Sequence, residues 1–239
     1  MHVEHFEIVD RFCGPPRSGN GGYTCGRVAA HLQGPVAVRL KAPPPLLTAL
    51  RLESADVAAR LLHNEALIAE ARRVPLELEV PPAPSRDEAV AASRSYAGFH
   101  GHAFPGCFVC GPDRDPGDGL RVFPGSAGPR GLLAAPWTPD PSLADTDGRV
   151  RPEFLWSALD CPGGFAVLPP VAGVAVVLGE LWAAIEGEVA AGEECVVTAW
   201  PLGVDGRKHL AGSAVYGAGG RLVARARAVW IAVPLATWT

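Results

Sequence analysis

A loop, one short helix and four strands, followed by the same series a second time, is the pattern that most restricts how this chain can fold. In the first series, Gly14-Pro15-Pro16-Arg17-Ser18-Gly19-Asn20-Gly21-Gly22 can only be a loop. Cys25, Val28, Ala29 and Leu32 then recur at i, i+3, i+4 and i+7, the spacing of one helical face. Asn20 supplies a good N-cap, and Gly34-Pro35 stop the helix. Alternating and β-branched residues predict strands over 36–42, 46–53, 57–63 and 66–74, with Asn64-Glu65 as a tight turn. Pro43-Pro44-Pro45 fits a corner or an edge, because proline cannot donate to a central ladder.

The second series opens with a loop-rich stretch over 100–120 and short strands over 120–123 and 131–137. A helix over 152–160 follows, with Pro152 in its first turn and Leu155, Ala158 and Leu159 on its apolar face. Long strands are predicted over 174–187, 195–204, 209–216 and 221–233. The last strands of the two series also match in letters: 67–74 and 222–229 are identical at five of eight positions. The expected organisation is therefore an N-terminal unit over 1–74, a linker over 75–98 with some helix near Glu88 to Ser93, and a C-terminal unit over 99–239.

Composition removes several classes of function. With 48% hydrophobic and 19% charged residues the chain can bury a core, and wholesale disorder is excluded. A net charge of −4, only two lysines (Lys41 and Lys208) and scattered arginines give no footprint for nucleic acid. The longest apolar stretch, 165–178, is shorter than the ~20 residues a bilayer span requires and contains Pro169, Pro170 and Gly173. The Met-His-Val-Glu-His-Phe-Glu start has no basic region followed by an apolar run, so the expected location is the cytoplasm. Six cysteines at irregular positions make no disulfide framework, and reduced thiols are expected.

One helix followed by four antiparallel strands, in tandem, resembles the hotdog fold, in which a sheet wraps a central helix. Two such halves in one chain resemble a double hotdog, an α+β architecture in which a pseudodimer replaces a homodimer. The segment Trp156-Ser157-Ala158-Leu159-Asp160-Cys161-Pro162-Gly163-Gly164 is similar to the acidic helix motif of phenylacetate-pathway and related acyl-CoA thioesterases. Asn20-Gly21-Gly22 resembles the polar-Gly-Gly lead-in to that helix, and Cys107-Phe108-Val109-Cys110-Gly111 with Gly119-Leu120 is similar to a segment found in the same superfamily. The resemblance implies a hydrolase acting on a small acyl thioester, with coenzyme A as part of the substrate and no resident cofactor or metal.

Thioester hydrolysis needs donors aimed at the carbonyl oxygen and a carboxylate that activates water or attacks the carbonyl itself. Gly21 and Gly22 suit the first task, since a helix N-terminus presents unpaired amides and a missing Cβ lets substrate approach. Asn20 caps the helix or orients the thioester, and Ser18 contributes to either task. Asp160 is the candidate carboxylate; Glu153 and Ser157 share its helical face, and Trp156 neighbours that face as a wall for an acyl pocket. An acid near the end of a short helix opposes the helix dipole by under about 1 kcal/mol, so a structural role is less natural there.

In the resembling family the glycines and the acid come from opposite subunits. Here Ala29 stands where the first helix would carry the counterpart of Asp160, and Arg151-Pro152-Glu153 replaces the polar-Gly-Gly lead-in of the second. Pro152 has no N–H to donate. Each half lacks what the other keeps, which predicts one composite site and one degenerate site. Cys107 and Cys110 have metal-ligand or redox spacing and His100 and His102 lie close by, but a zinc site needs four ligands and no second Cys-x-x-Cys exists, so buried thiols are expected. Cys161 reads as a packed thiol. The alternatives are a non-catalytic binder of acyl or other hydrophobic molecules and a hotdog dehydratase or hydratase. A further association of chains through the sheets is compatible with the pattern.

Overall fold

The computed structural model describes residues 1–168 and 172–238; Pro169 and Pro170, which interrupt the apolar run, lie outside them. The described strands are β1 (His2–Phe6), β2 (Val36–Leu40), β3 (Leu50–Ser54), β4 (Ala58–His63), β5 (Ala66–Arg73), β6 (Gly125–Ser126), β7 (Leu133–Trp137), β8 (Val174–Ile185), β9 (Cys195–Asp205), β10 (Lys208–Tyr216) and β11 (Leu222–Pro234). Three α-helices accompany them: α1 (Gly21–Ala29), α2 (Arg86–Ser93) and α3 (Pro152–Ala166).

All eleven strands form one antiparallel sheet in the order β1-β3-β4-β5-β2-β8-β11-β10-β9-β7-β6. Read outward from its middle pair, β2 and β8, both directions repeat one order: first long strand, last, third, second, then a short edge strand. The seam is set by Val36 to Arg39 of β2 opposite Ala183 to Glu180 of β8. Val38 and Leu181 are fully buried there, while Arg39 reaches Glu180 through Nε and Nη2 at 2.9 and 2.7 Å.

The helices α1 and α3 pack on the sheet and run antiparallel against each other. Their contact is close because α1 presents two glycines one turn apart. A Cβ on Gly22 would lie 2.5 Å from Asp160 Cβ, and one on Gly26 would lie 2.5 Å from Glu153 Cα. On the other side of the sheet, Ala89 and Ala92 of α2 bury Ala134 and Val196, whereas the alternate residues Ala135 and Val197 face the main core. Ser85 and Glu88 close a capping box at the start of α2.

Several sequence expectations need correction. The stretch 120–123 is not a strand: Leu120 and Val122 donate to the carbonyls of Phe108 and Val109, and Arg121 has φ +55°, which breaks the extended run. The edge strand β1 was not anticipated from the sequence. The helix α3 runs six residues beyond the expected end, through Pro162, and Ser213 Oγ donates to the nearby Leu159 carbonyl at 2.6 Å. The 75–98 stretch is anchored rather than a loose connection: Leu78, Val80 and Ala83 pack on Trp200, Ala214 and Tyr216, and Arg225 donates to the Leu78 carbonyl at 2.9 Å.

Candidate functional site

Asn20 caps α1 as its residue type predicts, with its side-chain oxygen accepting from Tyr23 N at 2.9 Å. That leaves its amide nitrogen free to donate, and Nδ2 lies 3.1 Å from Asp160 Oδ2. Gly22 N donates to the same oxygen at 2.8 Å. Asp160 thus sits at the N-terminus of α1, where the positive end of that helix dipole favours a negative charge. The sequence reading set it against the dipole of its own helix, but in α3 it lies mid-helix, not in the last turn.

Asp160 is 2% exposed, and its second oxygen, Oδ1, has no hydrogen-bond partner among the described residues. Burial pushes the carboxyl up to about 7; the Gly22 amide and Asn20 oppose that rise, and negative charge on Cys107 adds to it.

The carboxylate opens on a cavity of about 300 Å³. Its polar wall includes Ser18, Asn20, Gly21, Lys41, Asp160, His102 and the three thiols of Cys107, Cys110 and Cys161. Its apolar wall includes Phe104, Phe165, Leu168, Val176, Leu178, Trp230 and Trp238. Gly21, the first residue of α1, lines this space, and its amide forms no hydrogen bond among the described residues. Of the two glycines, Gly21 is therefore the one free to meet a ligand oxygen. Gly22 already serves Asp160, and its missing Cβ makes room for α3, not for substrate.

Ser18 is buried in the cavity wall, with Oγ 3.2 Å from the Gly19 carbonyl. Trp156, Ser157 and Glu153 belong to the contact between α1 and α3, and among the described residues none of them lines the cavity. Ser157 Oγ donates to the Glu153 carbonyl at 2.7 Å, and Glu153 lies 3.5 Å from Arg151 Nε. The indoles at the cavity are those of Trp230 and Trp238 instead. Sequence reasoning missed Gly26, although its i+4 relation to Gly22 on a helix signals close helix contact. His102, near Cys107 and Cys110 in sequence, places its Nε2 3.3 Å from Cys110 Sγ. At the other end of the helix pair, Arg151 caps α3 without a side-chain hydrogen bond, and Ala29 is buried where a second acid would stand.

This sheet, with its few helices, defines the hotdog fold. The architecture matches an acyl-CoA thioesterase II from Mycobacterium marinum with a TM-score of 0.60 at 13% identity, over 97% of this chain and 93% of that one. A conserved protein of unknown function with a hotdog fold from Alicyclobacillus acidocaldarius matches with a TM-score of 0.59 at 11% identity, over 97% and 93%. The tesB protein of Mycobacterium avium subsp. paratuberculosis matches with a TM-score of 0.57 at 14% identity, over 90% and 88%. No protein-family model and no curated protein sequence matches the chain. Among the described residues, no helix is long and apolar enough to cross a membrane.

Proposed function

We propose that the chain is a thioester hydrolase of the acyl-CoA thioesterase type, built from two tandem hotdog halves that share one composite site. The observation that carries this reading is the pair of bonds from Gly22 N and Asn20 Nδ2 to Asp160 Oδ2, made across 138 and 140 residues at the wall of a largely apolar cavity. Thioesterases of the same fold over nearly the whole chain favour the same class of reaction.

In this mechanism Asp160 Oδ2 is held by its two donors, and Oδ1, buried and without a protein partner among the described residues, is the oxygen left to accept a proton from the attacking water. The carboxylate takes a proton from that water as its oxygen attacks the thioester carbonyl carbon. The carbonyl oxygen becomes an oxyanion and receives the Gly21 N–H at the start of α1. Collapse of the tetrahedral intermediate breaks the carbon–sulfur bond, and the departing thiolate recovers the proton from Asp160. A carboxyl held near 7 exchanges this proton readily at neutral pH. Direct attack by the carboxylate uses the same geometry through an anhydride that water then cleaves.

The substitution Asp160→Asn keeps the side-chain shape and removes the base. Turnover of a panel of acyl-CoA thioesters is expected to fall at least about 100-fold with the melting temperature retained. Unchanged turnover would reject the assignment. The paired Ala29 and Arg151-Pro152-Glu153 positions favour a second reading, a binder that has lost its chemistry. Tight acyl-CoA binding without turnover by the wild-type chain would select it.

A further inference from the structure

The floor of the cavity holds a group of side chains that the hydrolysis does not use. Cys107, Cys110 and Cys161 are buried, and their sulfur atoms all lie within 4.8 Å of one another. Cys107 and Cys161 Sγ are 3.7 Å apart. Zinc–sulfur bonds of about 2.3 Å at the tetrahedral angle place two sulfurs about 3.8 Å apart, close to that separation.

The loop bearing the first two sulfurs is a tight turn, which Gly111 N closes on the Cys107 carbonyl at 2.9 Å. A Cβ at Gly111 would collide with the backbone of Pro105 and Cys107, so only glycine fits. Asn20 Nδ2 lies 3.9 and 3.8 Å from Cys107 and Cys161 Sγ. His102 Nδ1 accepts from Phe104 N at 2.9 Å, which leaves the imidazole proton on Nε2, 3.3 Å from Cys110 Sγ. Donors thus converge on the sulfurs from two segments. Three thiolates this close would repel one another, so ionisation of the set requires a cation to join them.

We propose that Cys107, Cys110 and Cys161 bind a soft divalent cation, zinc, through three thiolates, with His102 hydrogen-bonded to the Cys110 sulfur. Because all three cysteines line the cavity, the fourth coordination position falls to water or to a ligand atom there. The tests of this site read metal binding and not turnover, so it stands or falls independently of the hydrolase reading.

The test is metal analysis of the wild-type full chain purified without chelator, which is expected to carry about one zinc per chain. After chelation under reducing conditions, reloading with cobalt(II) should give intense sulfur-to-cobalt charge-transfer absorption and the visible bands of a tetrahedral ion. Cys161→Ser should abolish the charge-transfer band. His102→Gln should keep the stoichiometry and weaken cobalt binding about 10- to 100-fold. A folded wild-type chain that takes up neither zinc nor cobalt overturns the proposal, as does a Cys107–Cys161 disulfide in the chain as isolated. An unchanged cobalt spectrum in Cys161→Ser, or complete loss of binding in His102→Gln, overturns the three-sulfur ligand set.

Discussion

The Gly22 amide and the Asp160 carboxylate are joined by a 2.8 Å hydrogen bond at one of the two close approaches between α1 and α3. Position, packing and chemistry meet there: the absence of one methyl group on α1 is what allows the carboxylate of α3 to reach the helix N-terminus.

The substitution Gly22→Ala tests that dependence. Its new Cβ would stand 2.5 Å from Asp160 Cβ and 2.7 Å from the Trp156 carbonyl, so the helices must separate. Overpacking of this kind costs about 1–3 kcal/mol, and denaturant titration should register it. The same displacement lengthens the bond to Asp160, so residual turnover should fall further than the lost stability alone explains.

Asn20 combines two duties that a serine would divide. Ser caps helices about as well as Asn, so Asn20→Ser should leave stability within about 1 kcal/mol of wild type. A single hydroxyl committed to the cap cannot also reach Asp160, so acyl-CoA turnover is expected to drop at least about 10-fold. Retained turnover in a stable Asn20→Ser chain would remove Asn20 from the mechanism.

Under the proposed function the apolar wall sets the acyl group. Val176 lines the cavity, and Val176→Phe shortens the space available to a chain. The ratio of kcat/KM for short over long acyl-CoA thioesters is expected to rise, by a factor consistent with about 1–3 kcal/mol per excluded methylene. Equal effects on all chain lengths would place the acyl group elsewhere.

The seam between β2 and β8 depends on its buried residues rather than its ion pair. Arg39 is half exposed, and Arg39→Ala should cost no more than about 1 kcal/mol despite the two bonds to Glu180. Val38 is fully buried at the same seam, and Val38→Asp should prevent folding or cost several kcal/mol, measurable by thermal unfolding.

The elements legible in the sequence are those set by local chemistry. Alternation located the long strands to within a few residues, Asn20 marked the start of α1, and Asn64 takes the φ of +53° that its turn requires. Elements set by distant partners were not legible. The edge strand β1 exists because it pairs with β3, and α3 continues past Pro162 because packing outweighs the missing backbone donor. At the site, Asp160, Asn20 and the glycine pair were readable as residue types, but not the division of labour between Gly21 and Gly22. Cys161 could not be attached to Cys107 and Cys110, because loop closure over 54 residues leaves no mark in local spacing.

The bond from Gly22 to Asp160 lies within a single polypeptide. Where such partners belong to separate subunits, dilution parts them and specific activity declines. Here the covalent connection keeps their effective concentration constant, so under the proposed function catalytic output per mole should hold down to very low protein concentrations.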